Sequence, residues 1–99
     1  MAFEVVFTDE ALEDYFKILN YIKTNWTTRE LEKFQIEIME IAELISLFPE
    51  FGKRSGKVEY ARSILIKPYH KVYYEQMQNI IFILSIFDTR QSPEKNLYQ

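Results

Sequence analysis

Residues 8–26, TDEALEDYFKILNYIKTNW, decide the fold, because they fix where the first helix starts and which face it buries. Leu12, Tyr15, Leu19, Ile22 and Trp26 recur at spacings of 3, 4, 3 and 4, which lays one apolar stripe along a helix. Thr8 stands at the N-cap, and Asp9 and Glu10 follow in the first turn, where the helix dipole favours negative charge. Thr27 with Glu30 repeats the start signal as a capping-box pattern, and Leu31, Phe34, Ile38, Ile41 and Ile45 give the next helix its own stripe. The short connection around Asn25–Thr28 predicts an antiparallel hairpin, whose single apolar seam must be buried against another layer.

That layer is legible on either side of the hairpin. FEVVF at 3–7 is β-prone and reads as a short strand. Pro49 and Gly52 of FPEFG stop the second helix, since proline cannot continue it and glycine permits a sharp turn. A basic loop, KRSGK, follows at 53–57. Val58–Lys67 alternates as a strand, with Val58, Tyr60, Arg62, Ile64 and Ile66 on one parity. Pro68 and Tyr69 make a turn, His70–Met77 a second strand, Gln78 and Asn79 a tight turn, and Ile80–Phe87 a third. This last strand is apolar on both parities, as expected of a central strand covered on both faces or of an edge shielded by the tail. The expected order is β-α-α-β-β-β over one domain spanning 1–99. This is an α+β architecture, a helix hairpin packed on one face of a mainly antiparallel four-stranded sheet. The opposite face has no evident cover, and the basic residues are expected to emerge there.

Composition agrees with one densely structured domain: 99 residues, 47% hydrophobic, with eight Phe and seven Tyr. The absence of cysteine excludes a disulfide framework and a thiolate zinc site. The acidic opening MAFEVVFTDE lacks a signal peptide's charged and apolar regions, and the longest apolar run, Ile80–Leu84, is far too short to cross a bilayer. A soluble cytoplasmic protein without metal or cofactor is expected. Its net charge of −3 hides an asymmetry: residues 1–52 hold eleven acidic and four basic residues, residues 53–99 four acidic and eight basic. Such a split predicts a surface with two electrostatic poles.

KPYHKVYY at 67–74 concentrates three tyrosines, two lysines and the chain's single histidine. No local motif places a nucleophile or an orienting carboxylate beside His70, no second His or Cys completes a metal site, and two glycines make no phosphate loop. RNA cleavage needs less, because the substrate brings its own 2′-hydroxyl. Cations must stabilise the phosphate while Lys67, His70 or Lys71 moves protons. Arg62 interrupts an otherwise apolar parity and therefore needs a partner, either an internal carboxylate or an anionic ligand in a concave site. Arg90, just beyond the last strand, is placed to approach Arg62 if the strand ends lie alongside.

Taken in order, T-D-E-A-L-E-D-Y-x-x-I-x-x-Y-I at 8–22, L-F-P-E-F-G-K at 47–53, Y-A-R-S-I at 60–64, P-Y-H-K-V-Y-Y at 68–74 and I-I-F-I-L-S-I-F-D-T-R-Q at 80–91 resemble the RelE/ParE superfamily of bacterial toxins. The resemblance implies the toxin half of a type II toxin–antitoxin pair, neutralised by an antitoxin whose C-terminal segment wraps the scaffold. RelE-like members cut mRNA on the ribosome, whereas ParE-like members inhibit DNA gyrase. The long helix hairpin and the P-x-x-G-K turn at 49–53 look more like ParE. Net acidity is unsuited to a site made of RNA, and Asp88 stands where a histidine or basic residue is common. The expected function is gyrase inhibition, with Lys53, Arg54, Arg62 and Arg90 as target-binding residues. The alternatives are a ribosome-dependent mRNA interferase using Arg62, Arg90, Lys67, His70 and Lys71, and a relic that only binds its antitoxin. KPYHKVYY then reads as a family strand with Val72 and Tyr74 facing one layer and Lys71, Tyr73 and Glu75 the other.

Overall fold

A computed structural model describes residues 2–91 and 93–98. Strand β1 (Glu4–Phe7) leads into helices α1 (Asp9–Asn25) and α2 (Thr28–Leu47). Strands β2 (Lys53–Arg54), β3 (Arg62–Ile66), β4 (His70–Met77) and β5 (Ile80–Asp88) follow, and a 3-10 turn covers Pro93–Lys95. Both helix starts form as the caps dictate: the Thr8 hydroxyl accepts from the Ala11 N–H and the Thr27 hydroxyl from the Glu30 N–H. The sheet order is β1-β5-β4-β3-β2, with β1 parallel to β5 and every other pair antiparallel.

The sheet has five strands rather than four, because part of the basic loop, Lys53–Arg54, pairs with Ser63 and Arg62. Strand β3 correspondingly starts at Arg62, not Val58. Residues 55–61 are tied into a turn by the Ser55 hydroxyl, which accepts from the N–H groups of Lys57 and Val58, and by the Ser55 N–H on the Ala61 carbonyl. Tyr60, expected on the strand's apolar parity, is exposed.

Ile22, Phe34, Ile38 and Ile45 from the hairpin pack on Ile66, Val72, Tyr74, Ile81, Ile83 and Ile86 from the sheet. The α2 stripe is the expected one. The α1 stripe is rotated by one residue at its start. Ala11 is buried while Leu12 is exposed, and Trp26, also exposed, caps the helix end instead of joining the core. A bulge explains why β5 is apolar on both parities. Tyr73 pairs with Ser85 but Tyr74 with Ile83, so Leu84 is an extra residue and the core parity passes from Ile81 and Ile83 to Ile86.

Strand β1 ends opposite Ile83, yet β5 runs on to Asp88, and α1 closes the edge left open. Thr8 donates through its N–H and its hydroxyl to the Ile83 carbonyl, each at 3.0 Å. Asp14 accepts from the Ile86 N–H at 3.0 Å and the Ser85 hydroxyl at 2.9 Å. The sheet face away from the hairpin, expected to be bare, is partly roofed by the chain's end. Tyr98 stacks on Tyr73 with ring centroids 5.3 Å apart, and Asn96 Nδ2 donates to the Tyr73 hydroxyl at 2.8 Å. Among the described residues, no helix is long and apolar enough to cross a membrane.

Candidate functional site

The sequence-selected basic residues fall into two separate groups. The first surrounds the turn that leaves α2. Arg62 lies on the core-facing parity of β3, so its guanidinium is turned toward the chain rather than toward solvent. Its Nη1 donates to the main-chain carbonyls of Gly52 at 2.8 Å and Glu50 at 3.2 Å. The internal partner is thus not the expected carboxylate but main-chain carbonyl oxygen, which accepts from the same N–H groups. Beside it, buried Tyr74 donates its hydroxyl to the Pro49 carbonyl at 2.8 Å and accepts from the Gly52 N–H at 2.8 Å. Burial raises the Tyr74 pKa, against the lowering effects of the Gly52 N–H and Arg62, and keeps the phenol protonated. Together the two side chains clamp residues 49–52.

Gly52 serves this clamp through space, not through an unusual backbone angle: no glycine takes a positive φ. A Cβ there would sit 2.6 Å from the Tyr74 hydroxyl and 3.0 Å from the Ser63 carbonyl. Lys53 and Arg54 follow directly on the edge strand and project as exposed cations.

The second group lies at the other end of the strands, where the Lys67–Tyr69 turn meets the hairpin tip. His70 is buried between Phe34, at a centroid distance of 5.2 Å, and Tyr69, at 4.9 Å. Burial lowers its pKa; Asp88 opposes the shift and Arg90 adds to it, so the ring stays neutral. Asp88, the cross-strand partner of His70, is committed to Arg90. Its carboxylate accepts from the Arg90 Nη2 at 2.6 Å and Nε at 3.0 Å, which holds its pKa below the usual carboxylate range. The Arg90 guanidinium also lies 3.8 Å from the Tyr69 ring centroid and 5.7 Å from that of Tyr21.

Arg62 and Arg90 do not converge. Arg62 is level with Tyr74 and Asp88 with His70, so four residues, about 13 Å, separate them along the sheet and two strand spacings, about 10 Å, across it. Lys67 lines a small cleft with His70, Trp26 and Phe34, whereas Lys71 alternates to the opposite sheet face. The five residues named for a nuclease are therefore divided between two ends and two faces, and no single phosphate would meet both arginines. Among the described residues, no cluster of His, Cys, Asp or Glu is arranged to hold a metal ion.

Neither the Tyr74 hydroxyl nor Asp14 was singled out by sequence reasoning, and Gly52 was read only as a turn residue, not as the space the Tyr74 hydroxyl fills. For Tyr74 the signal is parity, since a tyrosine on the core side of β4 must find its hydroxyl a partner. For Asp14 it is a carboxylate beside the apolar stripe of α1, which needs donors wherever that stripe packs.

Across residues 5–93 the chain matches the model of the ParE toxin of type II toxin–antitoxin systems, parDE. The chain belongs to this ParE toxin family. Solved structures agree on the fold. A chain of the chromosomal ParDE toxin–antitoxin system from P. aeruginosa superposes with a TM-score of 0.74 at 16% identity, over 89% of this chain and 97% of that one. The conserved hypothetical protein HP0894 from Helicobacter pylori gives 0.59 at 16% identity, over 90% and 97%. The isolated E. coli RelE toxin gives 0.56 at 14% identity, over 94% and 90%. No curated protein sequence matches the chain. For a ParE-family chain, the division of its basic residues into two groups becomes the central fact of the site.

Proposed function

We propose that this chain is the toxin of a type II toxin–antitoxin pair, that it acts in the cytoplasm by binding DNA gyrase, and that a cognate antitoxin neutralises it. The observation that carries this reading is the ParE toxin match over residues 5–93, together with the commitment of Arg62 to the carbonyls of Glu50 and Gly52. An arginine spent on backbone in this way acts as a positioning residue. It holds the loop that presents Lys53 and Arg54 to a target, while Arg90 offers a second contact at the far end. Inhibition by binding needs surface and rigidity, and the clamped loop supplies both. Phosphoryl chemistry needs converging cations, and here they diverge.

The test is expression of the chain alone in a bacterial host, with DNA-damage signalling and message integrity followed in one culture. DNA-damage signalling with intact mRNA is expected. Cleavage within translated codons without that signalling would replace this reading by the mRNA interferase one. Normal growth with soluble folded protein and neither signal would leave antitoxin binding as the chain's remaining role.

A further inference from the structure

His70 is a buried titratable group with no part in target binding, and it stands in a closed set of neighbours. It is 7% exposed and packs between the Phe34 and Tyr69 rings, and among the described residues none is hydrogen-bonded to its imidazole. Its cross-strand partner is Asp88, and directly opposed residues point to the same face with Cβ atoms about 5 Å apart. Asp88 in turn holds Arg90 through Nη2 at 2.6 Å and Nε at 3.0 Å. Arg90 lies over the Tyr69 ring at 3.8 Å, and that ring is 4.9 Å from the His70 ring. The four residues form a circuit in which each neighbours the next.

A proton on His70 upsets this circuit. The imidazolium is then a cation enclosed by Ile22, Phe34 and Ile66, and a buried cation must take a counter-charge. Glu30, Lys33 and Glu37 from α2, with Lys67 and Tyr69 from the turn, line the same cleft. Asp88 and Arg90 stand beside it at the end of β5, Tyr21 of α1 lies beyond Arg90, and Lys71 projects from the opposite sheet face. Of the carboxylates, Asp88 is the one whose charge bears on the ring. The Arg90–Asp88 pair is open to water, with the arginine side chain 48% exposed, and exposed pairs contribute little. Arg90 therefore loses little by returning to solvent, whereas an unpaired imidazolium loses much. Asp88 Oδ1 also accepts from the Arg90 main-chain N–H at 2.9 Å, so Oδ1 keeps a donor while Oδ2 turns to the ring. A second cation against Tyr69 then repels the guanidinium from that ring.

We propose that His70, Asp88, Arg90 and Tyr69 form a proton-operated latch. With His70 neutral, Asp88 holds the Arg90 guanidinium over the Tyr69 ring. With His70 protonated, the Asp88 carboxylate turns to the imidazolium and Arg90 is released to solvent. The latch does not depend on the target assigned to the toxin. Only its consequence rests on that reading: Arg90, the second target contact, is presented freely when His70 carries the proton.

The test is NMR spectroscopy of the full chain from pH 8 to pH 5, following the His70 ring signals and the Arg90 Nε–H signal together, with circular dichroism as the control on folding. Both signals are expected to move with one midpoint. Asp88→Asn should lower the His70 midpoint by roughly half a pH unit or more, because the carboxylate that favours the imidazolium is gone, and should abolish the coupled movement of Arg90. His70→Gln should leave the Arg90 signal unmoved over the same range. If that variant does not fold, the comparison of wild type with Asp88→Asn decides alone. An Arg90 signal indifferent to the titration of His70 would overturn the proposal, as would a His70 that stays neutral to pH 5 in folded protein. A His70 midpoint unchanged by Asp88→Asn would also overturn it, because the carboxylate would then play no part.

Discussion

The hydroxyl of Tyr74 occupies the space that a side chain on residue 52 would need, and Gly52 returns the contact by donating its N–H to that oxygen at 2.8 Å. Neither residue works without the other: the glycine makes room for the phenol, and the phenol holds the turn. Gly52→Ala should therefore destabilise the fold by about 1–3 kcal/mol, the usual cost of overpacking a filled site. Tyr74→Phe should cost a similar ~1–3 kcal/mol by stranding the Pro49 carbonyl and the Gly52 N–H. Because the two share one contact, the double variant should lose less than the sum. Urea denaturation of the four proteins measures the coupling.

Arg62 is the clamp's second arm. Arg62→Ala should lower stability by about 2 kcal/mol, within the range for hydrogen bonds to a charged donor. Arg62→Lys should recover only part of it, because the guanidinium plane fixes the direction of the two hydrogen bonds that Nη1 donates to the carbonyls, whereas a rotating ammonium on a shorter stem is not held so. Toxicity should fall in proportion to folded protein, with no additional loss per folded molecule beyond that of the loosened loop. Comparing unfolding free energy with growth inhibition across the two variants checks this.

How much was legible in advance is clearest at these residues. The parity of β3 showed that Arg62 needs an acceptor, but parity cannot distinguish a backbone carbonyl from a phosphate, since both reward the same guanidinium. Helix starts at Thr8 and Thr27 were local and came out as the caps dictate. Lys53–Arg54 became a strand because Ser63 and Arg62 lie beside it, a long-range fact with no signature in KRSGK. Likewise the start of the α1 stripe moved from Leu12 to Ala11, because a periodicity fixes the width of a face more firmly than its centre. The tail's cover over Tyr73 had no signal beyond the aromatic character of Tyr98. Placement of Arg90 beside Asp88 and Tyr69 was near in sequence only for the acid; the ring arrives through the sheet.

Asp14 makes a sharper prediction about the sheet edge. Asp14→Ala removes the acceptor of the Ile86 N–H and the Ser85 hydroxyl, on the side of β5 away from β4, past the point where β1 ends. Stability should fall by about 1–3 kcal/mol. Hydrogen exchange at the Ile86 amide should accelerate more than at Ile81, whose stretch of β5 is flanked by β1.

His70 sets the acid side of the stability profile. Burial lowers its folded-state pKa below that of the unfolded chain, so the unfolded state binds more protons as pH falls below about 6.5. Stability should therefore decline from pH 7 toward pH 5, at no more than ~1.4 kcal/mol per pH unit from this one group. His70→Gln should flatten that slope. Asp88 works in a lower window: its depressed pKa contributes stability above the normal carboxylate value and loses it as pH falls through the folded value. Thermal unfolding across pH 4–8 for wild type, His70→Gln and Asp88→Asn separates the two.

The most direct test of the central claim is a gyrase reaction with purified chain and supercoiled DNA, scored for enzyme-linked double-strand breaks. Breaks that rise with the chain's concentration and disappear on adding the antitoxin are the predicted result. An unaltered gyrase reaction at molar excess of folded chain, alongside codon-positioned cleavage of mRNA in a translation reaction, would contradict it.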